Sequence, residues 1–329
     1  TQRHGRNARY VIMEQHHPSD WYEPKPVLEK VKVRSNWGMT LFSVLLFALS
    51  FLYIFSDELD FVFYLVLVLF LHEFGHYLMM KQFKYEDLRM LFIPLMGAFV
   101  QGSKKQYSQK ESFLVIAAGP FPGVVFGLTL LFLAQHYQQT WLLELSFLFL
   151  FLNVINLLPI DPLDGGQLFK LFVRAKRDLF LLIFALLSSL LMISVGYFID
   201  SWILLAFGFL MSFKVRSFQR NYQLRQVLDS QGLDYELNYE DLTDQDYHQL
   251  KTVLLEENPK LRTMQELHGE AAQEVIASHV NAVLSVPIRR DASLAFRIVL
   301  VTLWLLLISI PVILMVGTFF DFTWYFETL

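Results

Sequence analysis

The stretch FVFYLVLVLFLHEFGHYLMM, residues 61–80, determines how the rest of this chain must fold. A helix needs roughly 20 apolar residues to cross about 30 Å of hydrocarbon, and this stretch has that length and composition. It nevertheless contains His72, Glu73 and His76. An ionisable residue at that depth costs on the order of 3 kcal/mol, so three within one turn require a bound ligand or a wet cavity. The stretch therefore predicts a transmembrane helix that carries a functional site.

The composition supports a membrane protein and excludes several other classes. Of the 329 residues, 54% are hydrophobic, 16% are aromatic and only 18% are charged, which rules out a disordered chain. The formal net charge is −4 and the basic residues are scattered, so no nucleic-acid partner is expected. The absence of cysteine excludes disulfides, thiolate metal ligands and a cysteine nucleophile.

Further apolar windows predict an all-α polytopic membrane protein with about six or seven transmembrane helices. The six clear windows are residues 37–55, 61–80, 113–134, 141–158, 179–199 and 298–320. Residues 202–213 are apolar but short, so they either span a thin layer or re-enter the membrane.

The distribution of Lys and Arg orients these spans. Basic residues occur in the leader, in residues 81–110 and after residue 163, whereas residues 56–60, residues 135–140 and the tail after residue 320 contain none. We therefore expect a multi-pass protein of the cell membrane, of bacterial origin, with a cytosolic N-terminus and an outside C-terminus.

Four regions are expected along the chain. They are a cytosolic leader (1–36), a membrane core (37–213), a small cytosolic helical insert (214–293) and a final span with a short outside tail (294–329). Residues 1–12, before Met13, are interpreted as an artificial extension. In the insert, one helical pattern opens at Thr243 and stops at Pro259, and a second runs over about 261–284. A cytosolic regulator binding the insert is one possible partner; a plain linker domain is the alternative.

The His72-Glu73-Phe74-Gly75-His76 motif is typical of a zinc site. Residues i and i+4 share a helix face, so both imidazoles can bind one Zn²⁺ while Glu73 handles the proton of a water molecule. A third protein ligand is needed. The candidate is Asp164 in NLLPIDPLDGG, residues 156–166, and Asp161 in the same stretch is a competing candidate.

HEFGH in a membrane helix followed by NLLPIDPLDGG resembles the site-2 protease family, peptidase family M50, of intramembrane zinc metalloproteases. The resemblance implies one Zn²⁺ per chain, held by His72, His76 and Asp164, with Glu73 as the catalytic residue that activates water. It also implies that Asn156 contacts substrate or holds the reacting carbonyl. A purely structural role for Asn156 in the broken backbone is an equal alternative.

Two shorter stretches are similar to further elements of that family. Residues 92–100 resemble a membrane-dipping β-type loop, in which Met96, Gly97, Ala98 and Phe99 would offer a strand edge to an unwound substrate. A simple buried hairpin is the alternative. Residues 118–123, AGPFPG, resemble the AGP element, but Gly123 stands where the family often has asparagine.

The expected function is hydrolysis of peptide bonds within or near transmembrane segments of membrane-protein substrates, in contact with the lipid bilayer. One alternative is a membrane zincin of the Ste24 or HtpX type, which uses a glutamate as third ligand. That alternative is disfavoured because no Glu lies between Glu144 and Glu236. The other alternative is a non-catalytic zinc-binding receptor or carrier.

Overall fold

The computed structural model describes residues 22–28, 37–94, 97–173 and 176–316, and most of these residues lie in helices. The α-helices are α1 (Trp37–Ile54), α2 (Leu59–Gln82), α3 (Gln109–Ala117), α4 (Pro120–Tyr137), α5 (Thr140–Asn156), α6 (Asp164–Phe172), α7 (Arg177–Phe198), α8 (Trp202–Ser230), α9 (Asp244–Glu257), α10 (Pro259–His268), α11 (Gln273–Val283) and α12 (Leu294–Val316). The strands are β1 (Glu86–Ile93), β2 (Gly97–Ser103), β3 (Tyr107–Ser108) and β4 (Ile288–Arg289), and short 3₁₀ turns cover Tyr239–Asp241 and Gly269–Ala272.

Five helical segments are long and apolar enough to cross a membrane, which confirms the predicted all-α polytopic class. They are Trp37–Ile54, Leu59–Gln82, Gln109–Tyr137, Arg177–Phe198 and Leu294–Leu314. The predicted span at 141–158 corresponds to α5, a shorter apolar helix of 17 residues. Most of the predicted leader, together with the tail after residue 316, lies outside the described residues.

Helix α8 is continuous from the membrane core into the polar insert. It begins at Trp202, after Ser201, whose hydroxyl accepts the Leu204 N–H as an N-cap, and it runs for 29 residues. The predicted boundary at residue 214 therefore lies inside one helix, and whether residues 202–213 cross the membrane stays a prediction. Small residues let α7 and α8 approach closely, as is common between membrane helices. The Ser189 hydroxyl donates to the carbonyl of Gly208 at 2.7 Å.

The insert has its own apolar core, formed where α9, α10 and α11 pack on the second half of α8. Leu228, Tyr247, Ile276 and Val280 are each at most 2% exposed. Helix α9 begins after Thr243, as the sequence predicts. The second predicted helix is divided, because Gly269 adopts a φ of 50° that interrupts helical geometry.

Strands β1 and β2 pair as an antiparallel hairpin with Met90 opposite Val100, and residues 92–93 and 97–100 of the predicted loop belong to it. The hairpin lies against α1, where the Thr40 hydroxyl donates to the Met90 carbonyl at 2.9 Å. Among the described residues β2 pairs only with β1, so its other edge faces no strand. Leu95 and Met96, which connect the two strands in the sequence, lie outside the described residues.

The α7–α8 contact generates a prediction about stability. A Cβ at position 208 would lie 2.7 Å from Ile193 Cγ1, so Gly208→Ile should force the helices apart and destabilise the protein by about 1–3 kcal/mol. Leu210→Ile is the matched control, since Leu210 is 47% exposed on the outer surface of the same helix. Thermal unfolding in detergent measures both variants. Equal midpoints for the two would contradict the packing described here.

Candidate metal centre

Helix α2 presents His72, Glu73 and His76 towards the interior of the bundle. The three residues are 5%, 7% and 7% exposed. One helical turn separates the two histidines, and their Nε2 atoms lie 3.2 Å apart. Since these polar groups lie within a candidate membrane span, they need partners from the surrounding protein.

Asp164, the first residue of α6, completes the cluster. Its Oδ2 lies 3.0 Å from His72 Nε2 and 3.2 Å from His76 Nε2. Ligand atoms about 2.1 Å from a tetrahedral Zn²⁺ are about 3.4 Å apart, so this spacing fits one such ion. Two imidazoles and a carboxylate also form a donor set that suits zinc. The three predicted ligands are thus brought together by the fold.

The backbone between α5 and α6 makes this approach possible. Pro159 and Pro162 prevent a regular helix, and the carbonyl of Leu157 accepts a hydrogen bond from Trp304 Nε1 of α12 at 2.7 Å. A Cβ at Gly165 would collide with the Leu157 carbonyl, and one at Gly166 with the Ile160 carbonyl. The two glycines therefore let the loop fold directly onto the first turn of α6.

Asp161, the competing ligand candidate, lies away from the histidines in another polar group. Its side chain is fully buried, and its Oδ1 lies 2.7 Å from Lys170 Nζ and 2.8 Å from Lys214 Nζ. Ser188 of α7 accepts the Asp161 N–H at 3.0 Å. In this arrangement Asp164, rather than Asp161, faces the two imidazoles.

Each histidine is held through its second ring nitrogen. His76 Nδ1 lies 2.8 Å from the Val115 carbonyl of α3. His72 Nδ1 lies 2.8 Å from Asn153 Oδ1 of α5. Both contacts leave Nε2 directed at Asp164. Sequence reasoning missed Asn153, although an asparagine buried one turn before Asn156 in an apolar helix could have drawn attention to it.

Glu73 lies beside the ligand cluster and next to the hairpin. Its carboxylate is close to the backbone amide of Val100 in β2. Gly97, Ala98 and Phe99, three of the residues predicted to contact substrate, belong to the same strand. The candidate catalytic carboxylate and the candidate substrate strand are therefore adjacent.

Asn156 and the AGP element occupy different surroundings. Asn156 is the last residue of α5, and its Nδ2 donates to the Leu152 carbonyl at 3.1 Å. Gly119 packs against the His76 ring so closely that a Cβ there would overlap it. Gly123 packs in the same way against the Asn153 amide.

Comparison with known proteins gives one family and two relatives. Residues 60–145 match the family described as Peptidase family M50. Stage IV sporulation protein FB from Bacillus subtilis (strain 168) is 34% identical over 114 residues, which cover 33% of this chain and 39% of that protein. A zinc metalloprotease from Methanocaldococcus jannaschii is 30% identical over 112 residues, which cover 32% of each chain.

The matched regions amount to less than half the length of each curated relative. Among solved structures, a site-2 protease from Methanocaldococcus jannaschii is 24% identical with a TM-score of 0.40, covering 54% of this chain and 85% of that one. The family match includes α2 with its three buried polar residues. Through residues 60–145, the membrane core of this chain is similar to peptidase family M50.

Proposed function

We propose that this protein is an intramembrane zinc metalloprotease of the site-2 type, which hydrolyses peptide bonds within or near transmembrane segments of other membrane proteins. The observation that carries the proposal is the convergence of His72, His76 and Asp164 beside Glu73 inside a candidate span. The match of residues 60–145 to peptidase family M50 supports a metalloprotease.

His72, His76 and Asp164 would hold one Zn²⁺ per chain. When bound there, zinc supplies a Lewis acid that activates water and polarises a carbonyl. The residues themselves are prepared for this role, since each imidazole keeps Nε2 directed at the Asp164 carboxylate. The single carboxylate ligand and the adjacent Glu73 also balance the charge of a divalent cation in apolar surroundings.

Glu73 is assigned the role of general base. Its carboxylate takes a proton from the water molecule whose oxygen attacks the scissile carbonyl carbon. As the C–N bond breaks, the same proton passes to the leaving amine, which restores the carboxylate. The position of Glu73 next to both the ligand residues and β2 supports this assignment.

The substrate is proposed to bind as an extended strand beside β2. A transmembrane helix hides its own peptide bonds, so it must unwind locally before cleavage. Gly97, Ala98 and Phe99 offer backbone donors and acceptors from an edge that is unpaired in the described structure; Met96, predicted with them, lies outside the described residues. Asn156 is proposed to contact the substrate or its reacting carbonyl.

Transmembrane proteins in the lipid bilayer are therefore the proposed substrates, cleaved as part of regulated intramembrane proteolysis. Water is proposed to enter from the cytosolic side, on which Lys81 at the end of α2 is expected to lie. The leader and the 214–293 insert are placed on that side too, with the C-terminus outside, in a bacterial cell membrane. The insert is a candidate site for a cytosolic regulator.

The proposed base gives the most direct test. Glu73→Gln should reduce cleavage of a library of transmembrane peptides by about 10²- to 10⁴-fold, because the amide cannot accept the proton. Zinc content should stay unchanged, since Glu73 is not a ligand. Glu144→Gln is the matched control, because Glu144 lies in α5 outside the ligand cluster. Equal cleavage by wild type and Glu73→Gln would refute the mechanism.

The assignment of the third ligand is tested by comparing two acidic residues from one loop. Asp164→Ala should lose zinc, because only two protein ligands would remain. Asp161→Asn should keep zinc, because Asp161 contacts Lys170 and Lys214 instead of the histidines. Metal content measured by mass spectrometry distinguishes them. Retention of zinc by Asp164→Ala together with its loss from Asp161→Asn would reverse the assignment.

A further inference from the structure

Asn153 of α5 is a fully buried polar residue in the membrane core. Its side chain is fully buried among apolar neighbours such as Phe149 and Leu150. A buried amide is costly unless both its donor and its acceptor find partners. The Nδ2 group donates to the Phe149 carbonyl at 2.8 Å, and Oδ1 lies 2.8 Å from His72 Nδ1.

These two contacts determine which way the Asn153 amide points. A carbonyl can only accept, so the group facing the Phe149 carbonyl must be the NH₂. The Asn153 oxygen then faces His72, and it too can only accept. His72 Nδ1 must therefore carry the hydrogen, which leaves the lone pair on Nε2, the atom that faces Asp164.

The two histidines of the cluster obtain the same tautomer by different means. His76 donates from Nδ1 to the backbone carbonyl of Val115. A substitution of Val115 changes only its side chain and leaves this carbonyl in place. His72 depends on one side chain, Asn153, contributed by another helix. The Nε2 lone pair of His72 is thus the one that a single substitution can affect.

Gly123 provides the space that this arrangement needs. It lies in the first turn of α4, and a Cβ there would fall inside the van der Waals radii of the Asn153 amide, overlapping its carbon, oxygen and nitrogen. Any side chain at position 123 would therefore push Asn153 away from His72. Gly123, the position at which this chain differs from the AGP element, therefore leaves the space that the buried Asn153 amide occupies.

We propose that Asn153 is a positioning residue for zinc binding: its carbonyl fixes the Nε2-accepting tautomer and orientation of His72, and Gly123 is required to admit it. This inference rests on the proposed function for the identity of the metal. Asn153 acts by orienting His72 before the metal binds, so it need not touch the metal or the substrate.

The test measures zinc affinity by chelator competition on the purified full chain. Asn153→Ala removes the acceptor and should weaken zinc binding by about 10- to 100-fold. Asn153→Asp keeps an acceptor facing His72 and, when its carboxyl group is protonated, can still donate to the Phe149 carbonyl, so it should bind zinc more tightly than Asn153→Ala. Thermal unfolding of each metal-free variant separates a positioning effect from a folding defect.

Gly123→Ala should reproduce the effect of Asn153→Ala, because the added methyl displaces the amide. Gly127→Ala is the matched control. It lies one turn further along α4 and its Cβ would also be crowded, but its nearest neighbours would be Leu150, with Cδ2 at 2.8 Å, and Phe149. Equal losses of zinc affinity in the two glycine variants would overturn the role of Gly123.

A second measurement distinguishes this inference from the proposed function. In metal-free protein, ¹⁵N chemical shifts should show the Nδ1–H tautomer for His72 in wild type and a mixture in Asn153→Ala. Unchanged shifts and unchanged affinity in Asn153→Ala would overturn the inference while leaving the metalloprotease intact. Failure of wild type to bind zinc would instead refute the proposed function, and the ¹⁵N shifts would still decide the role of Asn153.

Discussion

A polar group buried in the hydrocarbon layer must find its partner inside the protein, and here that demand is concentrated on one turn of α2. His72 hydrogen-bonds to the Asn153 side chain of α5, and His76 hydrogen-bonds to the Val115 carbonyl of α3. Glu73 interacts with the backbone amide of Val100 in β2. Asp164 of α6 faces both imidazoles. Four separate elements therefore converge on α2 because each supplies one group that this turn needs.

The same constraint explains the role of helices that carry none of the site residues. The backbone from α5 to α6 is irregular, so its donors and acceptors lack helical partners. Trp304 of α12 donates to the Leu157 carbonyl, and Ser188 of α7 accepts the Asp161 N–H. The later helices thus stabilise the broken segment that carries Asp164 into the bundle.

Local spacing made part of this site predictable. His72 and His76 share a helix face by their i, i+4 spacing alone, and Asp164 followed from the motif after α5. Asn153 could not be predicted as a partner of His72, because its contact depends on the rotation of α5 against α2 and on the space left by Gly123. Similarly, the apolar stretch at 92–100 did not reveal its partner strand, whose first residues, Glu86 and Asp87, are acidic. The apolar pattern of the insert predicted one helix continuing past Gly269, but the φ of 50° at Gly269 interrupts the helical geometry there.

The choice between two aspartates in one loop depends on charges that lie far along the chain. The pKa of Lys170 is lowered to about 8, chiefly by burial and also by the nearby Lys214, while Asp161 opposes the shift. Turning Asp161 towards the histidines would leave the buried Lys170 ammonium without its counter-ion, which is strongly unfavourable. Asp164 has no such partner and is free to face the imidazoles. Because Lys214 belongs to α8, the helix that continues into the insert, which of the two aspartates faces the histidines depends on tertiary contacts that the loop sequence alone does not contain.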